Sequence, residues 1–125
     1  MQTRVRKITD EERKNATGRC YICAFRYMAK IPDSEIHLYR LVHGEMIKWD
    51  EKGNGVQFGH AWVEKEGEFV IDLRHDLRRT PHILSKEDYY QQFDVIEKTL
   101  RKYTIVEMYE VGLKAGAHYG PWASS

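Results

Sequence analysis

The chain lacks any apolar run approaching the ~20 residues of a membrane span, which argues against a helical membrane protein. It lacks an excess of basic residues: Lys+Arg is 20 and Asp+Glu is 19, for a net charge of +1. The basic footprint of a general nucleic-acid binder is therefore missing. Only two cysteines are present, Cys20 and Cys23, too few for a disulfide framework. They are expected as thiols in a reducing, cytoplasmic compartment. Met1 to Asp10 is charged, with no apolar segment that would read as a secretory signal. There is no internal repeat, low-complexity stretch or long linker.

What is present suits one globular domain. The 125 residues are 42% hydrophobic and 31% charged, enough for one core without staples. Thr9-Asp10-Glu11-Glu12 is a capping box that predicts a short helix to about Ala16. Cys20, Cys23, Ala24, Tyr27, Met28 and Ile31 form an apolar stripe at helical spacing. With Tyr21, Ile22, Phe25 and Ala29 also apolar, this second helix is expected inside the domain, ending before Pro32. Ile36–Trp49, Val56–Glu64 and Glu68–Leu73 read as three strands, the first two separated by a turn cluster containing Asn54-Gly55. Short connections make them an antiparallel meander. Ser85 caps a predicted helix to about Lys98, Tyr103–Val111 reads as a fourth strand, and Gly112–Ser125 is a tail. The expected class is α+β, a buried N-terminal helix on an antiparallel sheet of about four strands.

The second hairpin places two polar side chains together. A three-residue loop, Lys65-Glu66-Gly67, puts glycine at the left-handed position. It sets Glu64 opposite Glu68, Val63 opposite Phe69, Ala61 opposite Ile71, Trp62 opposite Val70 and His60 opposite Asp72. Opposed side chains are about 4.5–5.5 Å apart at Cβ, within reach of a hydrogen bond. A carboxylate on an imidazole fixes its tautomer and supports its protonated form. The nucleophile to go with them is Cys20, at the N-terminus of the second helix, where unpaired N–H groups and the helix dipole favour a thiolate. The same N–H groups suit an oxyanion. Cys23, one turn further on, reads as core.

At these residues the sequence resembles the papain-like cysteine-enzyme superfamily, including its transglutaminase-like branch. Gly18-Arg19-Cys20-Tyr21-Ile22-Cys23-Ala24-Phe25 is similar to the opening of that family's central helix. Gly59-His60-Ala61-Trp62-Val63-Glu64 is similar to its His strand, and Phe69-Val70-Ile71-Asp72 to the strand that ends in the acidic residue. The resemblance spans about Gly18 to Leu73. It implies a single papain-like domain over residues 1–115 with a tail over 116–125. It implies a Cys20-His60-Asp72 triad that transfers an acyl group from a peptide or protein amide through a thioester, to water or to an amine. No cofactor, metal, nucleic acid or membrane is implied. Papain-type members carry a Gln before the Cys as oxyanion donor. Here that region offers Lys14 and Asn15, so Asn15 or Gln57 is the candidate replacement beside the Cys20 N–H. Trp62 is read either as a wall of the cleft or as packing.

Other readings compete. Cys20, Cys23, His37 and His43 fall within a loose zinc-finger spacing. The cysteines, however, open a helix, and the histidines stand about 20 Å apart if both lie on one strand. A thioredoxin-like Cys-x-x-Cys wants a βαβ context that is missing here. A non-catalytic interaction module on the same α+β domain is the alternative from a different class. If Trp49 pairs with Val56, His43 joins the His60 face, as a cleft residue or a plain strand histidine. Arg74, Arg78 and Arg79 read as a solvated loop surface.

Overall fold

The computed structural model describes residues 4–15, 19–73, 82–116 and 119–122. The fold is α+β. In chain order the described residues form β1 (Arg4–Lys7), α1 (Asp10–Asn15), α2 (Arg19–Ala29), a 3-10 turn (Ile36–Leu38), β2 (Tyr39–Trp49) and β3 (Asn54–Lys65). They continue with β4 (Phe69–Asp72), β5 (His82–Ser85), α3 (Lys86–Gln92), β6 (Ile96–Tyr103) and α4 (Ile105–Lys114). No helix among them is long and apolar enough to cross a membrane.

The meander β2-β3-β4 is present, inside a sheet of order β5-β4-β3-β2-β6. The sixth strand, β1, runs parallel to β3 and pairs Arg4–Lys7 with Asn54–Gln57. Since β2 occupies one edge of β3 along its whole length, β1 and β4 share the other. β1 takes positions 54–57 and β4 takes 63–65. Among the described residues, no strand pairs with positions 58–62 on that edge.

Several expectations change. Among the described residues the sheet has six strands rather than about four, because β1 and β5 are short, and β1 is exposed at all four positions. Strands without an apolar face leave no alternation in the sequence. The Ser85 cap holds, its hydroxyl accepting from the Asp88 N–H at 3.2 Å. The helix nevertheless stops at Gln92 rather than about Lys98, where Asp94 turns the chain with φ 46°. The next residues form β6 against β2. Tyr103–Val111 is not a strand. Thr104 and Glu107 make a capping box, N–H to Oγ1 at 3.2 Å and N–H to Oε1 at 2.9 Å, and α4 follows. The β-branched Ile105 and Val106 suggested a strand, but Met108 and Gly112 turn inward at helical spacing.

Two apolar layers sandwich the sheet. On one side α2 sets Cys20, Tyr21, Ala24 and Met28 against Leu41, Ala61, Val63 and Ile71, with Met108 of α4 beside them. Tyr119 and Trp122 pack back onto this cluster. On the other side Val42, Met46, Trp62 and Val70 meet Tyr89 of α3. Complete burial of a side chain such as Met28 contributes about 1.5–3 kcal/mol. α2 is not enclosed all round as its composition suggested. Arg26 and Ala29 are exposed, because the layers cover only one of its sides.

Candidate active site

The alternation of β3 decides which side chains meet. Ala61 and Val63 face α2, whereas Trp62 faces α3. His60 is on the α3 side, its ring 6.2 Å from that of Trp62 and 6.3 Å from that of Phe58. It also falls in the stretch of edge that neither β1 nor β4 covers. Cys20, in the first turn of α2, comes close enough to the imidazole there to act on its protonation. Gly59 leaves room for the Tyr21 side chain of that helix. A Cβ at that position would stand 2.5 Å from the Tyr21 hydroxyl oxygen.

The hairpin that brings Asp72 to His60 differs in register from the expectation. Val63 pairs with Ile71, Glu64 with Val70 and Lys65 with Phe69. The loop is Glu66-Gly67-Glu68, one residue further along than Lys65-Glu66-Gly67. Glu66 and Gly67 have φ of 56° and 69°, and the Glu68 N–H donates to the Lys65 carbonyl at 3.0 Å. The shift relieves the like-charge opposition of Glu64 and Glu68. It also moves the partner of every β3 position by two, which keeps each side chain on its face. Asp72 thus becomes a diagonal rather than a direct neighbour of His60, and the contact survives. His60 Nε2 is 3.3 Å from both Oδ1 and Oδ2. With Nε2 on the carboxylate, Nδ1 is the ring nitrogen left for Cys20.

The site is well covered. The side chains of His60 and Asp72 are 12% and 3% exposed, and Cys20 is 8% exposed. Tyr89 of α3 donates its hydroxyl to Asp72 Oδ2 at 2.7 Å. Burial by itself disfavours protonated His60. The Asp72 hydrogen bond, the Cys20 hydrogen bond and the charges of both partners outweigh it and raise the imidazole to about 9. A proton on this ring is therefore held firmly, between a carboxylate and a sulfur.

Trp62 is fully buried, so it packs beneath His60 rather than lining a cleft. Its Nε1 donates to Glu64 at 3.0 Å. Glu64, itself buried, also accepts from Lys102 Nζ at 2.9 Å and from the Tyr90 hydroxyl. Burial and this carboxylate push the Tyr90 phenol up. Neither Tyr89 nor the Glu64 network was foreseen. Their one signal was the Ser85 cap, which makes Tyr89-Tyr90 helical and turns them to the sheet. Of the oxyanion candidates, Asn15 ends α1, and its side chain lies outside the described residues. Gln57 stands at an odd position of β3 and donates to Glu45 Oε1 at 2.9 Å. The structure thus brings together Cys20, His60 and Asp72, and gives Gln57 a different partner.

His43 does not join the His60 face. Trp49 pairs with Gly55, not Val56, so His43 lies opposite Ala61 on the α2 side. There it stacks on Trp122 at 4.7 Å and meets Tyr21 edge-on at 4.8 Å. His37 is exposed in the 3-10 turn. Among the described residues no group of three metal-binding side chains gathers. Arg74, Arg78 and Arg79 lie outside the described residues.

Compared with family models, curated proteins and solved structures, the chain matches none of them.

Proposed function

We propose that the chain is a thiol-dependent acyl-transfer enzyme of the papain-like kind, acting on a peptide or protein amide. The observation that carries this reading is the series Cys20–His60–Asp72: Cys20 in the first turn of α2 acts on the buried imidazole, and His60 Nε2 stands 3.3 Å from both Asp72 oxygens. In this reading His60 takes the Cys20 proton and the thiolate attacks the amide carbonyl. The first-turn N–H groups of α2, Cys20 among them, face the developing oxyanion. His60 then protonates the leaving amine as the thioester forms. Water or a second amine, deprotonated by His60, attacks the thioester and restores Cys20. Asp72 holds the ring through Nε2 and stabilises its protonated form, and Tyr89 holds Asp72. A peptidase, amidase or deamidase passes the thioester to water, and a transglutaminase passes it to an amine.

The competing proposal is a non-catalytic interaction module on the same α+β domain. It draws on the burial of Cys20 among Tyr21, Ala24 and Ala61, where a thiol can serve as core alone.

Alkylation by iodoacetamide across pH 5 to 9, mapped to each cysteine, separates the two. An activated pair gives rapid labelling of Cys20 below pH 7, slowed about 10²-fold or more by His60→Ala. Slow labelling that rises only in the range of an ordinary thiol, the same in both proteins, removes the enzyme reading and leaves the module.

A further inference from the structure

We propose that Cys23 is a resolving thiol. When peroxide oxidises Cys20, Cys23 captures the product as an intramolecular disulfide, switching the site off reversibly and protecting it. The inference builds on the reading of Cys20 as an activated nucleophile.

Cys23 has no part in the acyl-transfer chemistry, yet it is the nearest second sulfur in the sequence. Both cysteines lie in the first half of α2, buried at 8% and 4% exposure, and both are thiols. Three residues apart on a helix, their Cα atoms stand about 5 Å apart by the helix rise and radius. That lies inside the ~4.4–6.8 Å span that disulfides bridge. The Cβ atoms, about 5–6 Å apart in a regular helix, have to close by roughly 1–2 Å to reach disulfide spacing. Cys20 is the second residue of α2, in the turn whose N–H groups make no bonds within the helix, so this is where the backbone adjusts most cheaply. The two sulfurs are not equivalent, because Cys20 and not Cys23 is among the groups that act on the His60 imidazole. Cys20 is therefore the attacking sulfur and Cys23 the resolving one.

The chemistry balances. The Cys20 thiolate attacks one peroxide oxygen and the O–O bond breaks. Sulfenic acid remains on Cys20, and the departing hydroxide takes the His60 proton to become water. The Cys23 sulfur, losing its proton, attacks the Cys20 sulfur. The S–S bond forms, the S–O bond breaks, and hydroxide with that proton leaves as a second water. Two thiols are oxidised and one peroxide is reduced. The bridged Cys20 is drawn toward the helix and away from His60, and a dithiol restores it. Without a resolving thiol the sulfenic acid proceeds to sulfinic acid, which a dithiol does not reverse.

The test treats the full-length wild type, Cys23→Ala and Cys23→Ser with hydrogen peroxide. Trypsin cleavage after Arg19 and Arg26 leaves both cysteines in one peptide. The wild-type peptide is expected to lose two hydrogens. Iodoacetamide labelling of Cys20 should fall by about tenfold or more and return with dithiothreitol. In both variants Cys20 should instead take up dimedone as a sulfenic acid, then become sulfinic and stay unlabelled after dithiothreitol. Equal dimedone uptake in wild type and variants, with no loss of hydrogens in the wild type, overturns the resolving role. Rapid labelling of untreated Cys20 below pH 7 in that case leaves the enzyme reading standing. Cys20 that neither labels rapidly nor reacts with peroxide removes both.

Discussion

Two of the histidines in this sheet, His60 and His43, are largely buried, and their surroundings push them in opposite directions. His60 stands in an uncovered stretch of the β3 edge, between Asp72 and Cys20, and is raised to about 9. His43 lies on β2 on the other face, among Tyr21, Tyr103 and Trp122, and burial lowers it to about 4. Among the described residues its Nε2 has no hydrogen-bond partner. Burial is common to the two and does not distinguish a candidate base from a core residue. The partners do. A carboxylate and a sulfur make one ring an ion, and aromatic edges and faces make the other a neutral packing unit.

The strongest way to break the contrast is to take the carboxylate from His60. A histidine raised above its ordinary 6.5 adds stability that is complete below about pH 6.5 and is lost as pH climbs through about 9. Asp72→Asn should therefore cost about 3–5 kcal/mol at pH 6, the usual effect of breaking a buried pair. The deficit should shrink at pH 9.5. Denaturant unfolding of both proteins at the two pH values checks this. An equal deficit at both would mean that Asp72 serves packing and its Tyr89 bond, with no ionic role. Iodoacetamide labelling of Cys20 should slow in the same variant.

Tyr89→Phe tests the next shell with a smaller change. The phenol donates to Asp72 Oδ2 at 2.7 Å, and Tyr89 is 1% exposed. Removing the hydroxyl keeps the ring packing on Trp62 and Phe93. A hydrogen bond to a charged group contributes about 1.5–3 kcal/mol, and the variant should lose that much in unfolding free energy. If Tyr89 positions the carboxylate, the pH at which labelling of Cys20 rises will shift as well. A stability loss with an unmoved labelling profile would limit Tyr89 to a structural role.

The contrast between the histidines also shows how far the sequence could be read. The β3–β4 register differs from the one expected, and the pairing that would put His43 beside His60 is not formed, with opposite consequences. At the β3–β4 turn the error was two residues, a whole strand period, so His60 and Asp72 stayed on one face and in contact. At the β2–β3 turn the pairing differs by one residue from that condition, and His43 lies on the opposite face from His60. Faces repeat every second residue, so parity, rather than exact pairing, carried the His60–Asp72 contact. The Thr9 box and the Ser85 cap were legible because a hydroxyl and an acidic residue mark a helix start locally. The Thr104 box was equally local, but it was outweighed by the β-branched residues that follow it. Tyr89 was not legible. Its link to Asp72 spans 17 residues in sequence and depends on α3 ending at Gln92 and on the fit of that helix to the sheet. The gap between β1 and β4 was hidden for a similar reason, because β1 has no apolar face to announce it.

The mildest substitution sharpens the comparison from the His43 side. A histidine lowered to about 4 adds stability that is complete above about pH 6.5 and is lost as pH falls through about 4. Phenylalanine keeps a flat ring for Trp122 to stack on and removes the buried nitrogen that lacks a partner. His43→Phe should therefore be about 1 kcal/mol more stable than the wild type at pH 7.5, the low end of the cost of an unsatisfied buried polar group. By pH 5 the advantage should grow by about 2 kcal/mol, since only the wild type has a ring to protonate on unfolding. Cys20 labelling should change little, because phenylalanine keeps the ring contacts with Tyr21 and Trp122 on the α2 side and His60 lies on the other face of the sheet. Unfolding curves for the two proteins at pH 7.5 and pH 5 decide it. A constant difference would mean that His43 finds a partner for its nitrogen in solution, and the distinction between the two rings would then rest on the charge of Asp72 alone.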